Sequence, residues 1–394
     1  MPSYRKLPSG LWQAAVYKPN GRRITETDKL KSVVKEWAQD LEARYAKGDR
    51  RDPRAGQITL GEWRARVVAS RRLEAPTVRK NESLWRTHCQ GEWGEWPMNA
   101  VTRVEAQGWV KDLEAKRRSR HKGKSADRDD EAVPLLSAST VHEAVFVMTV
   151  LYRIAMVEDP PIVAYNPFAK LDLPKIEPRP VEYYEHDEAA LLYAAIERLH
   201  GRRWRLLAEL GMDVGLRPGE LYGLHTDRMR WKQGLVEVTR VMTRAGLREY
   251  PKSRKSHRSP PVPPATMAAL ADELGAGRNW AGRCTCPKVM PDGSTRPGSG
   301  PCPGLVFRAP EGGPVDDGNF RDRIWYTAVG AADVRRFPPK VMRHTAASWL
   351  VIDGVPLYDV QHLLGHESFA TTQRYAHLAP DAHDKVRESW ARRS

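Results

Sequence analysis

Cysteine is scarce, at four in 394 residues. So few thiols in so long a chain do not make a disulfide framework, and the default setting is a reducing, intracellular one. The opening residues, MPSYRKLPSGLWQAAVYKPNGRR, hold no apolar stretch of the kind a secretory signal needs. No apolar run reads as approaching the length of a membrane span, so no membrane partner is expected. Internal repeats are also lacking. Negative charge is short: Asp and Glu number 49 against 64 Lys and Arg, a formal net charge of +15. Such an excess favours a polyanion partner, most often nucleic acid. A basic soluble protein with no such partner is the other reading, and charge alone does not choose between them.

The length suits two or three domains. Residues 1–54 carry 13 Lys/Arg against 7 Asp/Glu. GLWQAAVY alternates, then KPNGRR and IT follow, which reads as a β-hairpin turning at Asn20-Gly21. TDKLKSVVKEWAQDLEARYAKG reads as an amphipathic helix capped at Thr27 or Asp28 and ended by Gly48. This small basic unit is either a DNA-groove reader or a structural appendage. Residues 58–174 read as a helical bundle, with a start signal at Thr59 and helical spacing in PTVRKNESLWRTHC, TRVEAQGWVKDLEAKRR and SASTVHEAVFVMTVLYRIAMVED. The charged segment RRSRHKGKSADRDDEAVP has no period and reads as a loop. NPFAKLDLPKIEPRPVEYY is extended and proline-rich, an inter-domain linker. From residue 181 to 394 the pattern is mixed: helices, then strands in MRWKQGLVEVTRVMT and LREYPKS, then helix, an irregular insert, and a mainly helical end from Asn319. The fold class is therefore multidomain, mainly α with small β-sheets.

Three of the four cysteines, Cys284, Cys286 and Cys302, fall in that insert. A closed zinc site usually takes four ligands, and the insert offers three. Free loop thiols are the preferred reading, and no metal ligand is assigned.

The last domain gathers cationic and titratable groups. GLRPGELYGL places Arg217 at a turn, with Glu220 near enough to orient it. REYPKSRKSHRSPPVP places Lys252 after a strand. KVMRHT supplies Lys340, Arg343 and His344, and LLGHESFATTQRYAH supplies His366 and Tyr375. Each alone has an ordinary reading: a surface ion pair for Arg217, passive phosphate contact for Lys252, a helix cap for His366, a half-buried ring for Tyr375. Together they suit phosphodiester chemistry. Two arginines can grip non-bridging oxygens with forked, charge-assisted hydrogen bonds. A lysine can protonate a departing 5′-oxygen, and a tyrosine hydroxyl can be the covalent nucleophile. Such chemistry needs neither metal nor cofactor, and no carboxylate cluster of the two-metal kind is visible.

These motifs, GLRPGEL, YPKSRKSHRSPPVP, KVMRHTAASWL and LLGHESFATTQRYAH, resemble in identity and order those of the tyrosine recombinase (phage integrase) family. The helical region resembles the family's core-binding, SAM-like domain, and residues 1–54 its arm-binding domain. The resemblance implies a site-specific integrase of a mobile element. It implies that Arg217 and Arg343 bind the scissile phosphate, Lys252 is the general acid, His366 hydrogen-bonds the phosphate, and Tyr375 attacks to give a 3′-phosphotyrosyl intermediate. Exchange would run through a Holliday junction on a homotetramer bound to double-stranded DNA at core and arm sites. Excision or host architectural factors would be further partners, and the bacterial nucleoid in the cytoplasm the setting. The tail LAPDAHDKVRESWARRS would pack on a neighbouring protomer. One position departs from the commonest pattern: Lys340 stands where relatives usually have histidine. A lysine is charged at neutral pH, so Lys340 is assigned to phosphate stabilisation and not to the role of base. His344 is read as a histidine that hydrogen-bonds within the domain and helps hold Arg343. Two alternatives stay open: a DNA-binding regulator with the same fold, and a topoisomerase-like or resolving enzyme with the same nucleophile.

Overall fold

The periodic runs of the sequence fold into two compact units, Met1–Pro178 and Arg179–Ser394. The computed structural model describes residues 2–18, 21–47, 55–71, 73–117, 134–177, 180–249, 257–275, 284–380, 387 and 390–392.

The first unit opens with an antiparallel sheet of β1 (Ser3–Lys6), β2 (Trp12–Tyr17) and β3 (Arg23–Asp28), in that order. The alternation of β2 sends Ala14 and Val16 to one face, where they meet Val34, Ala38 and Leu41 of α1 (Lys31–Ala46). The expected hairpin is β2–β3. β1 is an additional strand that the sequence reading did not separate from the N-terminal run. The helix start was expected at Thr27 or Asp28, and the structure moves it. Both residues belong to β3, opposite Gln13 and Trp12, and the helix begins after Leu30. Asp28 instead accepts a hydrogen bond at Oδ1 from the Leu30 N–H, 2.8 Å. Ladder pairing wins over capping here. Asn20 and Gly48 lie outside the described residues.

Among the described residues, five α-helices follow: α2 (Leu60–Ser70), α3 (Ala75–Leu84), α4 (Gln90–Trp93), α5 (Arg103–Ala115) and α6 (Ala138–Val157). Thr59 and Thr102 each close a capping box, with Glu62 and Glu105 respectively, satisfying amides that a helix start otherwise leaves open. The core is aromatic. Trp93 meets Trp109 at 5.8 Å and Phe168 at 5.5 Å, both edge to face, an arrangement favoured by the ring quadrupole. The expectation that no apolar run approaches a membrane span needs correction at α6, whose 20 residues have a mean hydropathy of 1.4 in their most apolar window. The physical reason for part of this apolar run is burial of one face against protein. Eight of its side chains are in the core, Tyr152 donates to the Met98 carbonyl at 2.9 Å, and the Leu151 carbonyl accepts from Trp63 Nε1 at 3.0 Å. Most of the charged loop at 117–134 lies outside the described residues.

The linker segment is tied down at each end. Phe168 is buried in the first unit, and Gln107 bonds both the amide and the carbonyl of Asp172. Tyr184 is buried in the second unit, its hydroxyl donating to the Arg335 carbonyl at 2.7 Å.

The second unit holds α7 (His186–His200), α8 (Arg202–Val214) and α9 (Pro218–Tyr222). The strand pair β4 (Met229–Arg230) and β5 (Leu235–Val236) comes next, then β6 (Val241–Thr243), β7 (Gly246–Arg248) and α10 (Pro264–Leu274). The insert contributes β8 (Lys288–Val289) and β9 (Thr295–Arg296), which extend the sheet in the order β6-β7-β8-β9, with β8 parallel to β7. It is therefore not wholly irregular. The short α11 (Asp317–Asn319) leads through a wide turn to α12 (Tyr326–Ala332), then α13 (Val341–Ile352), α14 (Leu357–Leu364) and α15 (Phe369–Gln373). Helix α13 packs on both α8 and α14, and eight of its residues are buried.

Candidate active site

Helix α13 carries the centre of the site because it is buried on more than one face. Its first turns present Arg343, whose side chain points into protein and is only 8 % exposed. Two helix ends receive it. Arg343 donates from Nη1 to the Gly215 carbonyl at 2.8 Å and from Nη2 to the Leu364 carbonyl at 2.7 Å. These carbonyls close α8 and α14, where the helix dipole is negative. Burial, then the neighbouring Arg217 charge, lowers the Arg343 pKa to about 9, so it remains charged at neutral pH. A guanidinium has five N–H donors, and two are committed here.

Gly215 permits this arrangement. It ends α8 at φ +71°, and a Cβ there would sit 2.4 Å from Leu364 Cδ2. Only glycine lets the α8 terminus come this close to α14.

Arg217 begins α9 and is nearly half exposed. Its Nη1 donates to Glu220 Oε1 at 2.9 Å, and its backbone N–H donates to Oε2 at 2.9 Å. Glu220 is buried and is also gripped from behind by Arg258, whose Nη2 donates to Oε2 at 2.7 Å and whose Nη1 donates to Oε1 at 3.2 Å. Arg258 Nε donates to the Leu363 carbonyl at 2.9 Å. Burial would raise the Glu220 carboxyl. The Arg258 hydrogen bond and charge, helped by Arg217, overcome it and bring it down to about 2. The sequence reading paired Arg217 with Glu220 and missed Arg258, which lies in the basic run KSRKSHRSPP without a distinguishing neighbour.

His366 follows α14 after Gly365, which turns the chain at φ +67°. It is buried, and its Nδ1 lies 2.8 Å from Thr372 Oγ1. Burial, then Arg343 and the other arginines, lowers its pKa to about 3, so the ring is neutral.

Tyr375 follows α15, packed among Ala347, Val351, Val360 and Leu364. Its hydroxyl lies 2.7 Å from His344 Nδ1. His344 was expected to brace Arg343; the structure aims its ring at Tyr375 instead, one residue along α13. Burial, then Lys340 and two arginines, lowers the His344 pKa to about 4, so it too is neutral and able to accept a hydrogen bond. Burial raises the Tyr375 pKa, and the charges of Arg343 and Arg374 oppose that rise.

Lys340 caps α13 and is exposed. The structure thus gathers Arg217, Arg343, His366 and Tyr375 around the ends of α8, α13 and α14, with Lys340 at the rim. Lys252 lies outside the described residues. The strand that leads toward it, β7, is placed through β6: Gly219 and Gly223 of the α9 segment pass so near Met242 that a Cβ on either would meet its backbone within 2.8 Å.

Residues 182–382 match the model of the phage integrase family. Curated relatives include tyrosine recombinase XerC of Xylella fastidiosa strain M23, 30% identical over 217 residues, 55% of this chain and 63% of that protein. Another is tyrosine recombinase XerD of Pseudomonas putida, 30% identical over 220 residues, 55% of this chain and 64% of that protein. The chain thus spans a little under two thirds of the length of these relatives. Among solved structures, the Tn1549 transposon integrase in complex with a circular intermediate DNA has a TM-score of 0.64 at 18% identity, covering 86% of this chain and 100% of that one. A lambda integrase tetramer bound to a Holliday junction has a TM-score of 0.56 at 16% identity, covering 94% of each chain. These likenesses give the same multidomain, mainly helical fold with small sheets. The match over 182–382 takes in slightly more than half of the 394 residues, together with every described residue of the site, and on that ground the chain belongs to the phage integrase family.

Proposed function

We propose that this chain is a site-specific DNA recombinase that cleaves and rejoins strands through Tyr375. The observation that carries the reading is the Tyr375 hydroxyl, buried, bonded to a neutral His344 at 2.7 Å and within the field of Arg343. Arg343 and Arg217 hold the scissile phosphate, and Lys340 adds positive charge at the rim. His366 donates to a phosphate oxygen from Nε2 when Nδ1 accepts from the Thr372 hydroxyl. The Tyr375 oxygen forms a bond to phosphorus as the bond from phosphorus to the 5′-oxygen breaks. The tyrosine proton passes to His344 Nδ1, and Lys252 gives a proton to the 5′-oxygen. The product is a 3′-phosphotyrosyl protein and a free 5′-hydroxyl. Attack by the 5′-hydroxyl of a partner strand reverses these steps, so bond energy is conserved.

Two rounds of this exchange through a Holliday junction, on a tetramer, integrate or excise a mobile element. The lambda integrase tetramer on a Holliday junction supports that assembly by likeness of fold. The basic segment at 1–54 is assigned to accessory DNA sites, residues 58–174 to the core site, and 181–394 to chemistry. The setting is the nucleoid.

A DNA duplex nicked near the cleavage point tests the chemistry, because the short 5′-hydroxyl fragment diffuses away and traps the covalent complex. Wild type accumulates a protein–DNA adduct, and Tyr375→Phe does not. Equal yields would overturn the assignment. Plasmid relaxation without exchange between two sites would favour the topoisomerase-like alternative.

A further inference from the structure

The insert that carries three of the four cysteines meets a fourth donor in the fold. The segment after β9 returns alongside the residues that follow α9. The Thr226 N–H donates to the Gly304 carbonyl at 2.9 Å, and the Val306 N–H donates to the Leu224 carbonyl at 2.9 Å. This places Cys302 beside His225. From the other direction, Cys284 and Cys286 arrive on the stretch that enters β8, where the Pro287 carbonyl accepts from the Leu247 N–H. The imidazole of His225 and the sulfurs of Cys284, Cys286 and Cys302 then lie within 4.8 Å of one another.

We infer that His225, Cys284, Cys286 and Cys302 form a tetrahedral structural zinc site of the Cys₃His type. Three observations carry it. The first is donor spacing. Zinc–sulfur bonds of about 2.3 Å and zinc–nitrogen bonds of about 2.0 Å set tetrahedral ligand atoms about 3.5–3.8 Å apart. Here His225 Nε2 is 3.1 Å from Cys284 Sγ and 3.8 Å from Cys302 Sγ, one on either side of the tetrahedral nitrogen–sulfur spacing, and all four donor atoms fall within 4.8 Å, close enough for small side-chain shifts to close on an ion.

The second is the orientation of the histidine. Its Nδ1 lies 2.8 Å from the Gly223 carbonyl, which fixes the proton on Nδ1 and leaves the Nε2 lone pair facing the sulfurs. A backbone carbonyl behind a histidine ligand is the usual support of a metal site. The third is burial. His225, Cys286 and Cys302 are buried, with Leu247 and Leu305 around the sulfurs. Cys284 is half-buried beside them, and three thiols and an imidazole brought together in this way gain little from packing alone, whereas a divalent cation satisfies all four.

Binding replaces three S–H bonds by three zinc–sulfur bonds and adds one zinc–nitrogen bond, and three protons leave to solvent. The product carries one net negative charge. The ion would clasp the insert to the segment that follows α9, and the insert in turn pairs with β7 through β8, so that the turn carrying Arg217 and Glu220 and the sheet of β7 share one anchor. This makes the site a brace for the catalytic unit and gives it no part in the phosphoryl step.

Full-length protein, purified without chelator, tests the inference by elemental analysis. One zinc per chain is expected in wild type and in Tyr375→Phe, which removes the proposed chemistry but no ligand. Cys302→Ser and His225→Ala should lower the zinc content about tenfold or more. Two readouts on wild type avoid dependence on variants that fail to fold. Stepwise modification of thiols by a mercurial should release zinc to a chromogenic indicator, and replacement by Co²⁺ should give thiolate charge-transfer bands with the strong visible absorption of a tetrahedral centre. Wild-type protein that holds no stoichiometric metal and gives no such Co²⁺ spectrum overturns the inference. So does a Cys284–Cys286 or Cys286–Cys302 disulfide found by mass mapping of the freshly purified chain.

Discussion

The hydroxyl of Tyr375 lies 2.7 Å from Nδ1 of His344, across 31 positions of sequence. The two reach each other because α13 carries His344 on the turn after its cap, while α15 ends at Gln373, two residues before Tyr375, and the Tyr375 ring packs on the cluster of Ala347, Val351 and Leu364. Lys340, the residue at the position usually held by histidine, caps the same helix and is exposed. In the proposed reaction the proton acceptor for the nucleophile is therefore His344, the residue after Arg343, and Lys340 is left to contact phosphate.

His344→Asn keeps a hydrogen-bonding group near the phenol but removes the basic nitrogen. Adduct formation on the nicked duplex should fall by about 10²-fold or more, with DNA affinity unchanged. An adduct rate equal to wild type would remove His344 from the reaction. A parallel loss of affinity would assign it a structural role.

Acid should weaken the fold through the same histidines. His344 is held near pKa about 4 and His366 near about 3, both first by burial, against about 6.5 in an unfolded chain. Between these values the unfolded state binds more protons, so stability falls as pH falls below about 6.5 and the loss is complete below the folded values. Denaturant midpoints at about pH 7.5 and about pH 5 should differ in that direction. The His344→Gln/His366→Gln double variant should flatten the difference. A midpoint that rises on acidification would refute this account.

Arg258→Met should destabilise the catalytic unit by about 3–5 kcal/mol, because it leaves the buried Glu220 carboxylate with only the exposed Arg217 as cationic partner. The double variant Arg258→Met/Glu220→Met should recover much of that stability without recovering cleavage, since Arg217 is then no longer oriented. Chemical denaturation measures the first effect and adduct yield the second.

Gly215→Ala tests the close approach of α8 to α14. A φ of +71° costs an alanine about 1–2 kcal/mol, and its methyl would drive into Leu364. The same shift moves two carbonyls that hold Arg343. Stability should drop by more than the backbone term alone, and cleavage should drop further than DNA binding. A variant within about 0.5 kcal/mol of wild type would show that the two helix ends yield easily.

Binding to duplex DNA should weaken steeply with salt, since each phosphate neutralised releases counterions and the chain carries +15. A flat response between about 50 and about 200 mM salt would contradict the basic-clamp reading. Removal of residues 1–54 should impair recombination between full-length sites more than cleavage of a core site, and equal losses would end the accessory-site assignment.

Much of the fold is written locally. Thr59 and Thr102, each with a glutamate three residues on, start helices where that pattern says they should. The alternation in WQAAVY and the turn at Gly21 give the β2–β3 hairpin. Local signals lose where a longer-range one competes: Thr27 and Asp28 look like caps but are claimed by the sheet. The apolar run of α6 buries one face against Trp63, Met98 and Phe168 while Phe146 and Val157 stay exposed, a division no window of sequence reports.

The site divides in the same way. Sequence alone determined the charge balance and most of the helices, and put forward Arg217, Arg343, His366 and Tyr375 as the candidate site, because ordered motifs fix residue types and spacing along the chain. Tertiary structure decided what each of them faces. It turned His344 to Tyr375, hung Arg343 from two helix ends, put Arg258 behind Glu220, and brought His225 to cysteines 59 and 77 residues away. Those pairings depend on how α8, α13, α14 and the insert pack, and packing over such distances leaves no period or spacing in the sequence from which to read it.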